Sequence, residues 1–249
     1  MTFRRDIMRL LAVLTTVCAG LGAGAAGAAP IVIHTATADI SVDPASLRID
    51  ATTPDGQALN LMPALHAPEA AAPVRVGAAW RWSDNEGRIL TVSGEDGHVR
   101  VQIAAPDGQA LSWPLPVASG GDWITPDGEG MALPVQDAFW RHVERREHCL
   151  DAVAGLSFPA WSHLTPERAV VYALGDGLRS KLCLRDDQGL QARLTHSFDE
   201  GANRLELLIA VAPPDPLAPA LFYRALLKAR GRFRLLRDKA VPDLDRLYG

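Results

Sequence analysis

From residue 46 to residue 209 the sequence runs in short stretches of alternating apolar and polar residues, interrupted by turn signals. Examples are SLRID at 46–50, VRV at 74–76, RILTV at 88–92, HVRVQI at 98–103, AVVYAL at 169–174, LQARL at 190–194 and RLELLI at 204–209. A period of two puts successive side chains on opposite faces, so such runs make half-buried strands, and Asp-Gly, Gly-Asp-Gly and Pro-Asp-Gly between them close tight turns. These features predict a mainly β body, an antiparallel β-sandwich. The sequence PDGQAL occurs twice, at 54–59 and 106–111. Pro presets φ and Gly accepts a positive φ, so both copies are expected to be hairpin tips. Two copies are too few for a propeller or solenoid.

The two ends differ from this body. Residues 1–30, MTFRRDIMRLLAVLTTVCAGLGAGAAGAAP, have a basic head, an apolar run and a small-residue close, the layout of an export signal. Cleavage is expected near Ala29, and Arg4-Arg5 is compatible with the twin-arginine route. The Gly-rich run is a poor membrane span. At the other end, Pro213-Pro214-Asp215-Pro216 closes the last strand and 217–230 reads as a helix, with Pro219 in its first turn and Gly231 just past its end. The expected organisation is therefore a signal peptide at 1–29, a sandwich at 30–213 and a helical tail at 214–249. The expected location is the periplasm or the medium.

Charge and cysteine usage narrow the function classes. The whole chain carries 25 − 29 = −4; without 1–29 it loses three Arg and one Asp and carries 22 − 28 = −6. A mildly acidic mature chain is a poor nucleic-acid binder, and the seven Lys/Arg from Arg224 to Lys239 fit a solvated helix face. Two cysteines remain, Cys149 and Cys183. In an oxidising compartment they can form a disulfide, and two free buried thiols account for the pair equally well.

No Gly-x-Ser-x-Gly elbow, protease-like cysteine signature, Gly-rich phosphate loop or His-Glu-x-x-His spacing is present. His142 and His148 are six apart and would not share one helix face, so no metal site and no cofactor are expected. Two stretches combine rings with polar groups. In WRWSDNEGR, 80–88, the alternation places Val74, Val76, Ala78, Trp80 and Trp82 on one face. Trp80 is expected in the core, while Trp82, beside the turn, is the ring nearer a ligand groove. In 121–140, GDWITPDGEGMALPVQDAFW, acids, glycines and rings lie close together, as a sugar subsite needs: ring faces cover the apolar side of a pyranose and carboxylates take its hydroxyls. Candidate carbohydrate-binding residues are thus Trp82, Trp123, Asp127, Glu129 and Trp140. Asp122, Asp127 and Glu129 are also the acids that a glycosidase reading would use.

The run GEGMALPVQDAFW at 128–140 and the end ALFYRALLKARGRFRLLRDKAVPDLDRLYG at 220–249 resemble the N-terminal part of certain secreted bacterial glycoside hydrolases, the group around the α-N-acetylgalactosaminidases and endo-α-N-acetylgalactosaminidases. In that group a Tyr-Arg-x-x-Leu helix, a Gly, a Leu-x-x-Lys step and a Leu-x-Gly ending lead from a β-sandwich into a (β/α)8 barrel. Tyr223-Arg224-Ala225-Leu226-Leu227, Gly231, Leu236-Arg237-Asp238-Lys239 and Leu247-Tyr248-Gly249 follow that order. The resemblance puts the catalytic carboxylates in the barrel, which would begin at Gly249, so it carries no catalytic residue onto this chain. It implies a non-catalytic, supersandwich-like β-sandwich that supports a barrel or binds carbohydrate. The alternatives are a glycosidase acting through the 122–129 carboxylates and a periplasmic protein-interaction domain without a sugar ligand. Expected partners are carbohydrate or a separate barrel, with no nucleic acid and no membrane after signal cleavage.

Overall fold

The computed structural model describes residues 29–65, 71–95, 97–175, 177–199 and 201–233. The stretch expected to be an export signal, but for Ala29, and the end of the expected tail, 234–249, lie outside them. Four strands come first, β1 (Ile31–His34), β2 (Asp39–Val42), β3 (Ile49–Thr52) and β4 (Ala58–Met62), and form an antiparallel meander of their own. A second meander follows in β5 (Val74–Val76), β6 (Ala79–Ser83), β7 (Ile89–Glu95) and β8 (His98–Ala104). The chain then crosses to a third sheet as β9 (Gln109–Pro114) and returns as the hairpin β10 (Asp122–Thr125) and β11 (Met131–Pro134). A short helix, α1 (Ala138–Val143), leads to β12 (His148–Asp151) in the third sheet. Next come the hairpin β13 (Ala160–Leu164) and β14 (Ala169–Leu174), the hairpin β15 (Ser180–Asp186) and β16 (Leu190–Phe198), then β17 (Arg204–Ala212) and α2 (Ala218–Ala229).

The order across the large sheet is β11-β10-β13-β14-β17-β8-β7-β6-β5, and across the third sheet β12-β15-β16-β9. Side chains from all three sheets meet in one apolar core, as expected for a sandwich. Buried polar groups tie the layers together. Tyr172 Oη donates to the Leu61 carbonyl at 2.9 Å, Trp113 Nε1 to the Pro63 carbonyl at 2.9 Å and Trp123 Nε1 to the Leu190 carbonyl at 2.9 Å. Each of these three rings thus buries its apolar body without leaving its polar tip unpaired.

Strand β14 is buried at all six positions, which is possible only if both faces are covered. Val170, Tyr172 and Leu174 enter the sandwich core, while Ala173 packs toward Leu226 and Ala169 and Val171 toward Ala218 of α2. Ala160, Ala169, Ala173 and Ala210 make that outer face shallow, so the helix seats close to the sheet. Helix α2 begins with Pro219 in its first turn and stops at Gly231, φ +65, as the sequence signals predict.

An ionic clamp fixes the end of that helix. Glu206 on β17 accepts from Arg230, just beyond α2, at 3.1 Å, lies 3.1 Å from Arg100 Nε on β8 and accepts from Gln102 at 3.3 Å. Arg230 also donates to the Gly175 carbonyl at 3.1 Å. A side chain at position 175 would collide with the Glu206 carboxylate, so glycine there keeps the clamp open. Replacing Glu206 by Gln leaves two guanidinium groups without their shared anion. Because all three side chains keep partial solvent access, the expected loss is about 1–3 kcal/mol, read as a lowered urea midpoint. An unchanged midpoint would show that the clamp contributes nothing.

Two sequence expectations are corrected. Val74 to Trp82 is not one strand: Gly77, φ +63, and Ala78 form a two-residue hairpin loop, with Val76 opposite Ala79. Val74 and Val76 are therefore exposed on an edge strand, and the two rings exchange roles. Trp82 is 4% exposed in the core, whereas Trp80 is half-buried with Arg75 5.9 Å from its ring centre. The second correction concerns the repeat. Gly56 and Gly108 have nearly equal φ, +84 and +82, but only the first copy is a hairpin tip, between β3 and β4. At the second, Gly108 N–H donates to the Phe198 carbonyl at 2.7 Å and the next strand pairs with β16 instead of β8. The same local turn serves two tertiary paths because the turn sets only the local bend, and long-range pairing sets where the chain goes next.

The polar turn after Trp82 is structural. Asp84 Oδ1 accepts from the backbone N–H of Glu86 at 3.0 Å and of Arg88 at 2.9 Å, and Oδ2 pairs with Arg88 Nε at 2.6 Å. The side chains of Asp84 and Arg88 are only 1% and 8% exposed.

Candidate functional site

The β10–β11 hairpin carries most of the residues singled out from the sequence, and the structure divides them. Trp123 lies wholly in the core, with its ring 5.0 Å from that of His163 on the adjacent β13. Burial lowers the pKa of His163, against the opposing pull of the Gly120 carbonyl and Asp122. Its Nε2 is 2.8 Å from that carbonyl. Trp82 and Trp123 both have their rings inside the sandwich and present no face to a sugar.

Asp127 and Glu129 sit in the turn between the two strands, closed by Gly130 N–H donating to the Asp127 carbonyl at 2.9 Å. Asp127 is half-buried and Glu129 exposed. Trp140 stands at the opposite end of the hairpin, beyond Pro134, on α1. With a rise of about 3.3 Å per residue over the four residues of β11, the separation along the strand is roughly 13 Å. Asp137 caps α1 by accepting from Phe139 and Trp140 N–H, and Arg141 fixes the helix to β15 through Asp186 at 2.8 Å. That arginine holds the Asp186 carboxyl below the usual range. Trp140 is half-buried, edge-on to the exposed Phe139. The candidates therefore do not converge on one site: an aromatic pair marks one end of the hairpin and the acidic turn marks the other.

At the acidic end there is an apolar depression of about 180 Å³. Ile124, Pro126, Phe158, Leu217, Pro219 and Ala220 line it, and Glu129 and Ser157 stand among them. The loop bearing Ser157 is tied to the turn, since Ser157 Oγ donates to the Gly128 carbonyl at 2.7 Å and its N–H to the Pro126 carbonyl at 2.8 Å. Phe158 stacks on Tyr223 of α2 with centroids 5.6 Å apart. Among the lining residues Glu129 is the one carboxylate. An apolar hollow with one acid offers a contact surface; it lacks the facing carboxyl pair that glycoside hydrolysis uses. Sequence reasoning found Glu129 but missed Phe158 and the start of α2, which join it only through the sheet order. The proline cluster at 213–219 was the available signal, and it reads equally well as a helix start. The structure joins Cys149 on β12 to Cys183 on β15 in a disulfide.

No family model matches the sequence, and no curated protein sequence does. Solved structures do match in fold. The α-N-acetylgalactosaminidase NagBb of Bifidobacterium bifidum, in complex with Gal-NHAc-DNJ, superposes with a TM-score of 0.64 at 15% identity over 87% of this chain and 42% of that one. The ligand-free form of that enzyme gives a TM-score of 0.62 at 14% identity, covering 84% and 40% of the two chains. At such identity the likeness is one of fold, and the chain spans about two fifths of the length of the structures it matches.

Proposed function

We propose that this chain is the non-catalytic β-sandwich of an exported glycoside-hydrolase-like protein, a rigid support for a catalytic module. The observation that carries the reading is the fold likeness, over 87% of the chain, to part of an α-N-acetylgalactosaminidase. The helix-bearing face of the large sheet agrees with a supporting role. There α2 is packed on small residues and clamped through Glu206, so it is a firm platform. The Cys149–Cys183 bridge is what an oxidising compartment would form, which accords with export. Should sugar be bound directly, the groups that support it are the half-buried Trp140 with the exposed Phe139 at one end of the hairpin and the exposed Glu129 with its hollow at the other.

The test is kinetic. Purified residues 30–249 are given an aryl α-N-acetylgalactosaminide, alongside the variant Glu129→Gln. The reading predicts no release of the aryl group by either protein. Release that disappears in Glu129→Gln would replace it with the enzyme reading.

A further inference from the structure

The geometry points to a redox-gated site for a thiophilic divalent cation, built from Glu147, Cys149 and Cys183 on the solvent face of the third sheet. Leu150, Leu182, Leu184 and Leu194 point into the sandwich core. Their neighbours Cys149 and Cys183 therefore face outward. They are directly opposed on β12 and β15, and Cys183 is opposed by Arg193 on β16. Glu147, one residue before β12, brings its carboxylate to the same spot, and the three ligand atoms lie within 4.8 Å of one another. The bridge thus lies outside the core, and Cys183 with Glu147 lines a shallow groove edged by Arg185 and Arg193.

While the bridge is closed neither sulfur can ligate a metal. Cys149 is the exposed partner and Cys183 the buried one. A dithiol reductant can therefore attack Cys149 Sγ. The S–S bond breaks with its electron pair leaving on Cys183, and the second reductant thiol then displaces Cys149. The reductant becomes a disulfide, and the protein gains two electrons and two protons. A tetrahedral zinc ion sets its ligand atoms about 3.5–3.8 Å apart. Two freed thiolates and the Glu147 carboxylate, already within 4.8 Å, reach that spacing by small side-chain rotations. Binding releases both thiol protons.

The charge balance also suits a divalent ion. Two thiolates and one carboxylate carry −3, a divalent cation leaves −1, and the Arg193 guanidinium, which pairs with both Glu147 oxygens, cancels it. A carboxylate has enough lone pairs to face the arginine and the metal together. Two sulfur ligands favour zinc over magnesium or calcium. Three protein ligands leave a fourth position for water.

The test uses the whole purified chain with Co²⁺ as a coloured substitute for Zn²⁺. The chain is compared in its disulfide form and after anaerobic reduction with a phosphine. The reduced chain is expected to take up one equivalent, with a thiolate-to-cobalt charge-transfer absorption that Zn²⁺ abolishes, and the disulfide form none. Glu147→Gln should weaken binding about tenfold or more, and Cys149→Ser should remove most of the charge-transfer intensity. Far-ultraviolet dichroism is recorded on each sample. A reduced chain that stays folded but gives no such band, a reduced chain that unfolds, or a Glu147→Gln variant that binds as tightly as the natural chain would each overturn the proposal.

Discussion

Replacing Asp84 by alanine lowers the stability of the fold by about 3–5 kcal/mol, because it strands a buried cation. Asp84 closes the turn between β6 and β7 with both oxygens, one on two backbone N–H groups and the other on Arg88. Alanine removes all three bonds at once and leaves the Arg88 guanidinium buried, with only the partly exposed Glu86 still paired to it at 2.9 Å. Among the described residues Arg88 Nη2 has no hydrogen-bond partner. The measurement is urea unfolding followed by tryptophan fluorescence. The double variant Asp84→Ala/Arg88→Met should recover much of the loss, because it removes the stranded charge as well. If the single variant unfolds at the natural midpoint, the buried pair is not what holds this turn.

Opening the Cys149–Cys183 bridge should cost roughly 3–4 kcal/mol, the loop-entropy value for its sequence separation. It joins β12, an edge strand of four residues, to the sheet interior. The bridge lies outside the core, so the expected effect is a wider unfolded ensemble and not a cavity. The variant Cys149→Ser/Cys183→Ser and the natural chain in reductant should therefore show equal decreases in urea midpoint. A midpoint that does not move on reduction would mean that the reduced strand is held equally well by its pairing alone.

Much of the β architecture could be read from residue patterns, because burying one face forces alternation. LQARL at 190–194 falls in β16, whose burial alternates, whereas AVVYAL at 169–174 coincides with β14 as an unbroken apolar run with both faces covered. The helix at the C-terminal end was legible from Pro219 and Gly231, whose backbone constraints are local. The exchange between sheets at 106–108 was not legible, since the turn there is locally the same as that at 54–56. A tryptophan in an alternating strand could be assigned to a face only when the strand ends were known, and Gly77 moved them for Trp80 and Trp82. The surface beside Glu129 depends on Phe158 and Leu217, and the cluster at Glu147 depends on Cys183. Both are products of strand order, which one sequence's periodicity does not encode.

The sandwich, and with it the groove at Glu147 and the support role, depends on the path of β9 into the third sheet, the crossing without which the chain would be an extended meander. In the structure Ala110 on β9 lies opposite Ser197 on β16, and both are exposed. Opposed residues on antiparallel strands are about 4.5–5.5 Å apart at Cα, within reach of a disulfide. The decisive measurement is peptide mapping, without reductant, of the variant Ala110→Cys/Ser197→Cys after mild oxidation. The account predicts a peptide pair linked through positions 110 and 197, alongside the natural 149–183 pair. Failure to link them, with β9 instead protected against β8 as a simple hairpin, would contradict it.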